Sequence, residues 1–171
     1  MKAERVSCAV ITVSDSRMPD TDESGGLARA RLESAGHHVA HYEIVPDDAD
    51  RIRERLVALC DDPRIQFVLL TGGTGLAPRD TTYEVVDALL EKRLDGFGEL
   101  FRMLSYAEVG AAAMLSRATA GVRKTTAIFS MPGSPKAVEL AMDRLIIPQI
   151  GHVAALLTPI TPLKGAARPT G

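Results

Sequence analysis

A three-layer αβα sandwich built on a mostly parallel sheet is the fold this chain predicts, and two observations carry it. Short apolar, β-branched runs alternate with segments of helical spacing, the order that builds β-α-β units. Clusters of Gly, Ser and Asp follow each clear strand, so in a parallel sheet they gather at one edge, where ligands bind.

Val6 to Val13 (Val-Ser-Cys-Ala-Val-Ile-Thr-Val) predicts the first strand, and Gly25 to Ala35 a helix that stops at Gly36. His38 to Val45 alternates as a second strand, after which Ile52, Leu56 and Leu59 recur at helical spacing. Phe67 to Leu70 is a third strand, and Val85, Val86, Leu89 and Leu90 mark the helix after it. Thr125 to Met131 is a fourth strand. The helix from Ser134 to Ile150 has Pro135 at its first position, where a missing N–H costs nothing, and Pro148 where it should kink or end. Residues 96 to 121 fit less simply: Gly98 to Val109 is helical, Gly110 to Ser116 small and apolar, and the stretch ending at Gly121 is expected to be an excursion beside the sheet. From Thr158 the chain is rich in Pro, Gly and Thr, which predicts an extended or disordered tail over 158–171 and one domain over 1–157.

Composition narrows the function. With 171 residues, 46% of them hydrophobic, the chain can bury a substantial core. A net charge of −2 without any Lys/Arg-rich run argues against a nucleic-acid partner. Cys8 and Cys60 have no Cys-x-x-Cys spacing or nearby His pair and read as buried, reduced thiols. His37, His38, His41 and His152 lack metal-ligand or triad spacing and read as surface or partly buried residues. The first apolar run is broken by Ser14-Asp15, too short for a signal segment or a membrane span, so a cytoplasmic location and no membrane partner are expected.

The most informative motif is Thr71-Gly-Gly-Thr-Gly-Leu-Ala-Pro-Arg-Asp80, a glycine-rich turn at a strand end whose backbone N–H groups can approach an anion. It is not a P-loop, because Leu76-Ala77 stands where Lys-Ser/Thr would be, nor a dinucleotide fingerprint, because Pro78-Arg79-Asp80 precedes the helix. Ser14-Asp15-Ser16, Pro46-Asp47-Asp48 and Pro132-Gly133-Ser134-Pro135 occupy the other strand ends. One of Asp47 and Asp48 should cap the following helix, leaving the other for chemistry. Thr81 and Glu84 have capping-box spacing. Ser134 can cap its helix or present N–H groups to an anion. Arg117 can hold a phosphate bidentately, but a surface ion pair is the favoured reading.

Together, Thr71 to Gly75 with Arg79-Asp80, Ser14-Asp15-Ser16, Ala113-Met-Leu-Ser-Arg117 and Met131-Pro-Gly-Ser-Pro-Lys136 closely resemble the MoaB and MogA proteins of molybdenum cofactor biosynthesis, relatives of the gephyrin G domain. The likeness spans about residues 5–157, and Tyr106 to Gly121 and Phe129 to Val138 look closer to the MoaB branch. It implies a molybdopterin-binding fold and, in active members, adenylylation of molybdopterin by Mg-ATP with release of pyrophosphate. Asp47 and Asp80 match the family's two catalytic aspartates and are the expected Mg²⁺ ligands. Gly73, Thr74, Gly75, Ser116, Pro132, Gly133 and Ser134 match its ligand-binding positions; Ser14, Asp15, Ser16, Thr71, Gly72 and Arg117 complete the expected site. The resemblance also implies trimers or hexamers, for which helices 98–109 and 136–150 offer apolar surfaces, and contact with other proteins of cofactor assembly. One departure is Asp80-Thr-Thr-Tyr-Glu84, where the family often has Asp-Val-Thr-Pro-Glu. A carrier that binds molybdopterin without adenylylating it is the alternative; a scaffold like gephyrin fits least.

Overall fold

The computed structural model describes residues 4–159. Its strands are β1 (Ser7–Val13), β2 (His38–Val45), β3 (Phe67–Thr71), β4 (Lys92–Arg93), β5 (Thr119–Arg123) and β6 (Thr126–Met131), joined in one sheet ordered β2-β1-β3-β6-β5-β4. β2, β1, β3 and β6 run parallel, while β5 and β4 are antiparallel to their neighbours. The helices are α1 (Glu23–Ser34), α2 (Ala49–Asp61), α3 (Thr82–Leu89), α4 (Asp95–Val109), α5 (Pro135–Ala141) and α6 (Ile147–Leu157).

Strand alternation sorts the core into two layers, giving the three-layer sandwich that the sequence predicts. Cys8 and Val10 of β1, Phe67 and Leu69 of β3, and Ala127, Phe129 and Met131 of β6 face the layer shared with α1, α4, α5 and α6. Ala9, Ile11 and Val13, Val68 and Leu70, and Ile128 face the opposite layer with α2 and α3. Phe129 stacks on Phe67 at 5.7 Å between ring centroids and takes the edge of Phe97 from α4 at 5.0 Å. Both cysteines are buried, which pushes the Cys8 thiol up to about 12 and Cys60 to about 11, as inert thiols require.

The structure corrects the sequence reading in several places. Residues 96–121 are not wholly an excursion: their last residues form β5, inside the sheet, with β4 as its partner. Gly121 is required there, because a Cβ would run into the Lys92 carbonyl and the Leu90 side chain. The last helix does not end at Ile150 but continues through a π-turn over Met142–Ile146 to Leu157, and that wider turn accommodates Pro148, which has no N–H to donate. By length and composition Pro135–Leu157 could cross a bilayer, yet Val138, Ala141, Met142, Ile146, Ile150 and Ala154 pack into the core. For the same reason the apolar side chains at 136–150 are no free surface; of the two helices proposed for self-association, α4 keeps large exposed ones, Met103 at 60% and Tyr106 at 65%. His37 is buried rather than partly exposed, its ring Nδ1 accepting the Val6 N–H at 3.3 Å. Of the expected tail, only Thr158 and Pro159 fall within the described residues.

Candidate functional site

Every parallel strand delivers its following loop to the same edge of the sheet, and hydrogen bonds tie these loops together. After β1, the Ser14 hydroxyl accepts the N–H groups of Ser16 and Arg17, at 3.3 and 3.0 Å, curling the turn so that Asp15 projects. Asp15 Oδ1 then accepts the Asp47 N–H from the loop after β2 at 3.0 Å. Asp47 Oδ1 in turn accepts both the N–H and the hydroxyl of Thr81, at 3.4 and 3.1 Å. Asp80 is the neighbour of Thr81 in the chain, so the two expected catalytic aspartates share one corner of the sheet edge. Asp48, meanwhile, caps α2 by accepting the Arg51 N–H at 2.9 Å, which divides the aspartate pair as the sequence suggests.

The glycine loop owes its shape to backbone that other residues would not tolerate. Gly72 and Gly73 have φ of 97° and 67°, and a Cβ at either would clash, with the Val13 carbonyl and the Thr82 hydroxyl respectively. Asp80 folds back to accept the Ala77 N–H at 3.1 Å, and a Cβ at Gly75 would sit 2.6 Å from the same carboxylate. The Thr82 N–H closes the loop onto the Gly73 carbonyl at 3.1 Å, where α3 begins. On the other flank the Gly72 N–H bonds the Met131 carbonyl at 3.0 Å, which sets the Pro132-Gly133-Ser134 turn against the glycines; Gly133 has room for a Cβ only 3.1 Å from Gly72 Cα. Ser134 caps α5 through the Ala137 N–H at 3.2 Å.

Arg117 forms the surface pair expected of it, but that pair is one part of a larger task. Its Nε and one terminal nitrogen donate to the Thr74 and Gly75 carbonyls at 3.2 and 2.6 Å, its other terminal nitrogen meets Glu84, and its guanidinium lies over the Tyr83 ring at 4.9 Å. It therefore staples the glycine loop to the first turn of α3. The Arg117 hydrogen bond holds the Glu84 carboxyl below its ordinary range. The predicted capping box is absent as a result: the Thr81 hydroxyl is given to Asp47 and Glu84 to Arg117, and neither completes a reciprocal cap. Ser116 accepts the Ala118 N–H at 3.4 Å, half-buried beside this staple.

Not every expected site residue presents its side chain to a ligand. Thr71 is fully buried, its hydroxyl directed at Thr12 at 3.4 Å, and Thr74 is buried at 6% exposure. Beneath the edge lies a network that the sequence reading passed over. Asp22 accepts from Thr12 at 2.6 Å, from Tyr42 at 2.5 Å and from the Gly25 N–H at 3.0 Å, so one buried carboxylate joins β1, β2 and the start of α1. Burial and the Asp22 hydrogen bond push the Tyr42 hydroxyl up to about 12. Two residues along, the Ser24 hydroxyl donates to the Gly133 carbonyl at 2.5 Å. Asp22, immediately before a run of helical spacing, is an N-cap signal that could have found this network.

The arrangement suits oxygen-rich, anionic ligands. A recess of about 320 Å³ lies between Leu76, Ala77, Pro78 and Asp80 on one side and Thr81, Glu84 and Arg117 on the other, at the small end for ligand sites. A larger hollow of about 670 Å³ lies beside Tyr42 and Arg29, but Asp80 lines the smaller recess and not that one. Among the described residues no hydrogen bond reaches Asp47 Oδ2 or Asp80 Oδ1. Each carboxylate thus keeps a free oxygen for a hard cation such as Mg²⁺, which takes few protein ligands and completes its shell with water and phosphate oxygens.

An α/β protein with a ligand edge formed by strand-end loops is the class that fold and site define. The chain belongs to the family described as "Probable molybdopterin binding domain", whose pattern matches residues 9–152. It is 56% identical over 149 residues to molybdenum cofactor biosynthesis protein B of Bacillus subtilis, covering 86% of this chain and 88% of the relative. A crystal structure of a molybdenum cofactor biosynthesis protein B superposes with a TM-score of 0.89 at 47% identity, covering 92% of this chain and 98% of that one. The tungsten cofactor synthesizing protein MoaB of Pyrococcus furiosus superposes at 0.78 with 38% identity, covering 91% and 99%.

Proposed function

We propose that this chain acts in molybdenum cofactor biosynthesis as a molybdopterin adenylyltransferase. An oxygen of the terminal phosphate of molybdopterin attacks the α-phosphorus of ATP; a new P–O bond forms to the pterin phosphate as the bond to pyrophosphate breaks. The observation that carries this reading is the Asp15–Asp47–Thr81 chain, which sets Asp47 and Asp80 together against the glycine loop with one free oxygen each.

Two phosphate-bearing substrates repel, and the site must offset that charge. The glycine loop and the Pro132-Gly133-Ser134 turn offer backbone N–H groups at close range, which favours phosphate oxygens in both ground and transition states. Asp47 and Asp80 would hold Mg²⁺, which when bound neutralises phosphate charge and orients the oxygens it touches. Ser14, Ser16 and Ser116 supply hydroxyls at the rim, and Arg117 keeps the loop in shape rather than gripping a ligand, because its donors are occupied. The exposed apolar face of α4, with Leu100, Met103, Tyr106 and Val109, gives copies of the chain a surface to bury in a trimer or hexamer. A cytoplasmic setting, where ATP and the other proteins of cofactor assembly are available, completes the reading.

Anaerobic incubation of the purified protein with molybdopterin and Mg-ATP tests it. Adenylylated molybdopterin and pyrophosphate in equal amounts are the expected products. Tight molybdopterin binding with no product would replace the transferase with a carrier.

A further inference from the structure

Two arginines border the glycine loop, and the structure gives them opposite kinds of work. Arg117 is half-buried and its donors are directed at the Thr74 and Gly75 carbonyls and at Glu84. Arg79, between Pro78 and Asp80 on the loop itself, has a side chain 67% exposed and one ionic partner among the described residues, Asp15 of the loop after β1. A guanidinium held only by an exposed carboxylate is weakly retained, since such pairs contribute little in water. Its planar fork matches two phosphate oxygens better than a lysine would, and it is one residue from Asp80.

We infer that Arg79 is the exchangeable cation of this site: it rests on Asp15 and moves to a phosphoryl group that enters the glycine loop. The inference rests on the function proposed above and adds to it a residue that grips the anion. Asp15 is then a competitor for Arg79 as well as a brace for Asp47, whose N–H it accepts at 3.0 Å. The two roles separate chemically, because an Asn at position 15 keeps an oxygen for the Asp47 N–H but loses the charge that holds Arg79.

The test is calorimetric titration of the intact protein and of the R79Q, R79K and D15N variants with pyrophosphate and, separately, with molybdopterin. R79Q should weaken at least one anion about tenfold, the worth of one charge-assisted hydrogen bond, with R79K in between. D15N should tighten the same anion a few-fold, which a purely structural pairing would not produce. A loss confined to pyrophosphate assigns Arg79 to the nucleotide, and one confined to molybdopterin assigns it to the pterin phosphate. R79Q binding both anions like the wild type overturns the inference, as does D15N weakening the anion as much as R79Q. The function proposed above fails separately: wild-type protein that binds these anions through Arg79 yet transfers no AMP removes the transferase and leaves Arg79 its role.

Discussion

The parallel half of the sheet, β2-β1-β3-β6, and its antiparallel flank, β5-β4 with α4, serve the site in different ways. The parallel strands end at one edge, so each delivers a loop that can touch a ligand: Ser14 to Ser16, Asp47, the glycine loop, and Pro132 to Ser134. The flank delivers no loop of that kind. It contributes Arg117, which arrives just before β5 and fastens the glycine loop to α3. Parallel topology thus gathers the chemical groups, while the antiparallel addition keeps the most deformable loop in its working shape.

The two halves meet at Phe129, packed between Phe67 of the parallel half and Phe97 of the flank. Phe129→Ala should therefore have the largest effect on stability, about 3–5 kcal/mol, read from urea unfolding. A loss below about 1 kcal/mol would mean that the halves are not coupled through this ring. Gly73→Ala strikes the parallel half alone: a positive φ and the Thr82 hydroxyl both oppose a methyl group. It should cost about 1–3 kcal/mol and abolish measurable turnover, whereas Gly96→Ala, on an open face of α4, should leave both unchanged or improve stability slightly. Arg117→Ala cuts the link from flank to loop and should lower stability by about 1–2 kcal/mol while raising the apparent constants for both substrates. Glu84→Gln, which keeps the carbonyls of Thr74 and Gly75 as partners of Arg117, should do much less.

The smallest effect is on pH. Burial lowers the His37 pKa from 6.5, so the folded protein holds this ring neutral while the unfolded chain still takes up a proton. Its stabilising contribution is complete above the unfolded value and declines as pH falls from about 6.5 toward the lower folded pKa. His37→Gln should flatten that part of a plot of stability against pH; an unchanged slope would assign the dependence to another group.

How much of this was legible in the sequence follows the same division. The parallel half was read closely, with β2 at its observed bounds, because β-branched runs and the helices between them carry distinct periods. The flank's helix was legible too, as the helical run 98–109 within α4, but its strands were not, since Lys92-Arg93 is too short to show a period; pairing of β5 with β6 and of β4 with β5 makes them strands. The candidate residues are legible as candidates because glycine and aspartate at strand ends are local signals. What escaped was cross-chain wiring: Thr81 donating to Asp47 rather than capping α3, Ser24 reaching Gly133, and Asp22 collecting three donors depend on folding that brings distant segments together.

The central claim is that Asp47 and Asp80 perform chemistry at an edge whose binding groups lie elsewhere. The most direct measurement is the single-turnover rate of AMP transfer in Asp47→Asn and Asp80→Asn, alongside their affinity for molybdopterin. The account predicts a rate at least about a hundredfold lower in each, an effect of the size seen when transition-state charge stabilisation is removed, with molybdopterin affinity within a few-fold of wild type. Variants that bind molybdopterin poorly but transfer AMP at the normal rate once saturated would contradict it, and would make both aspartates binding residues.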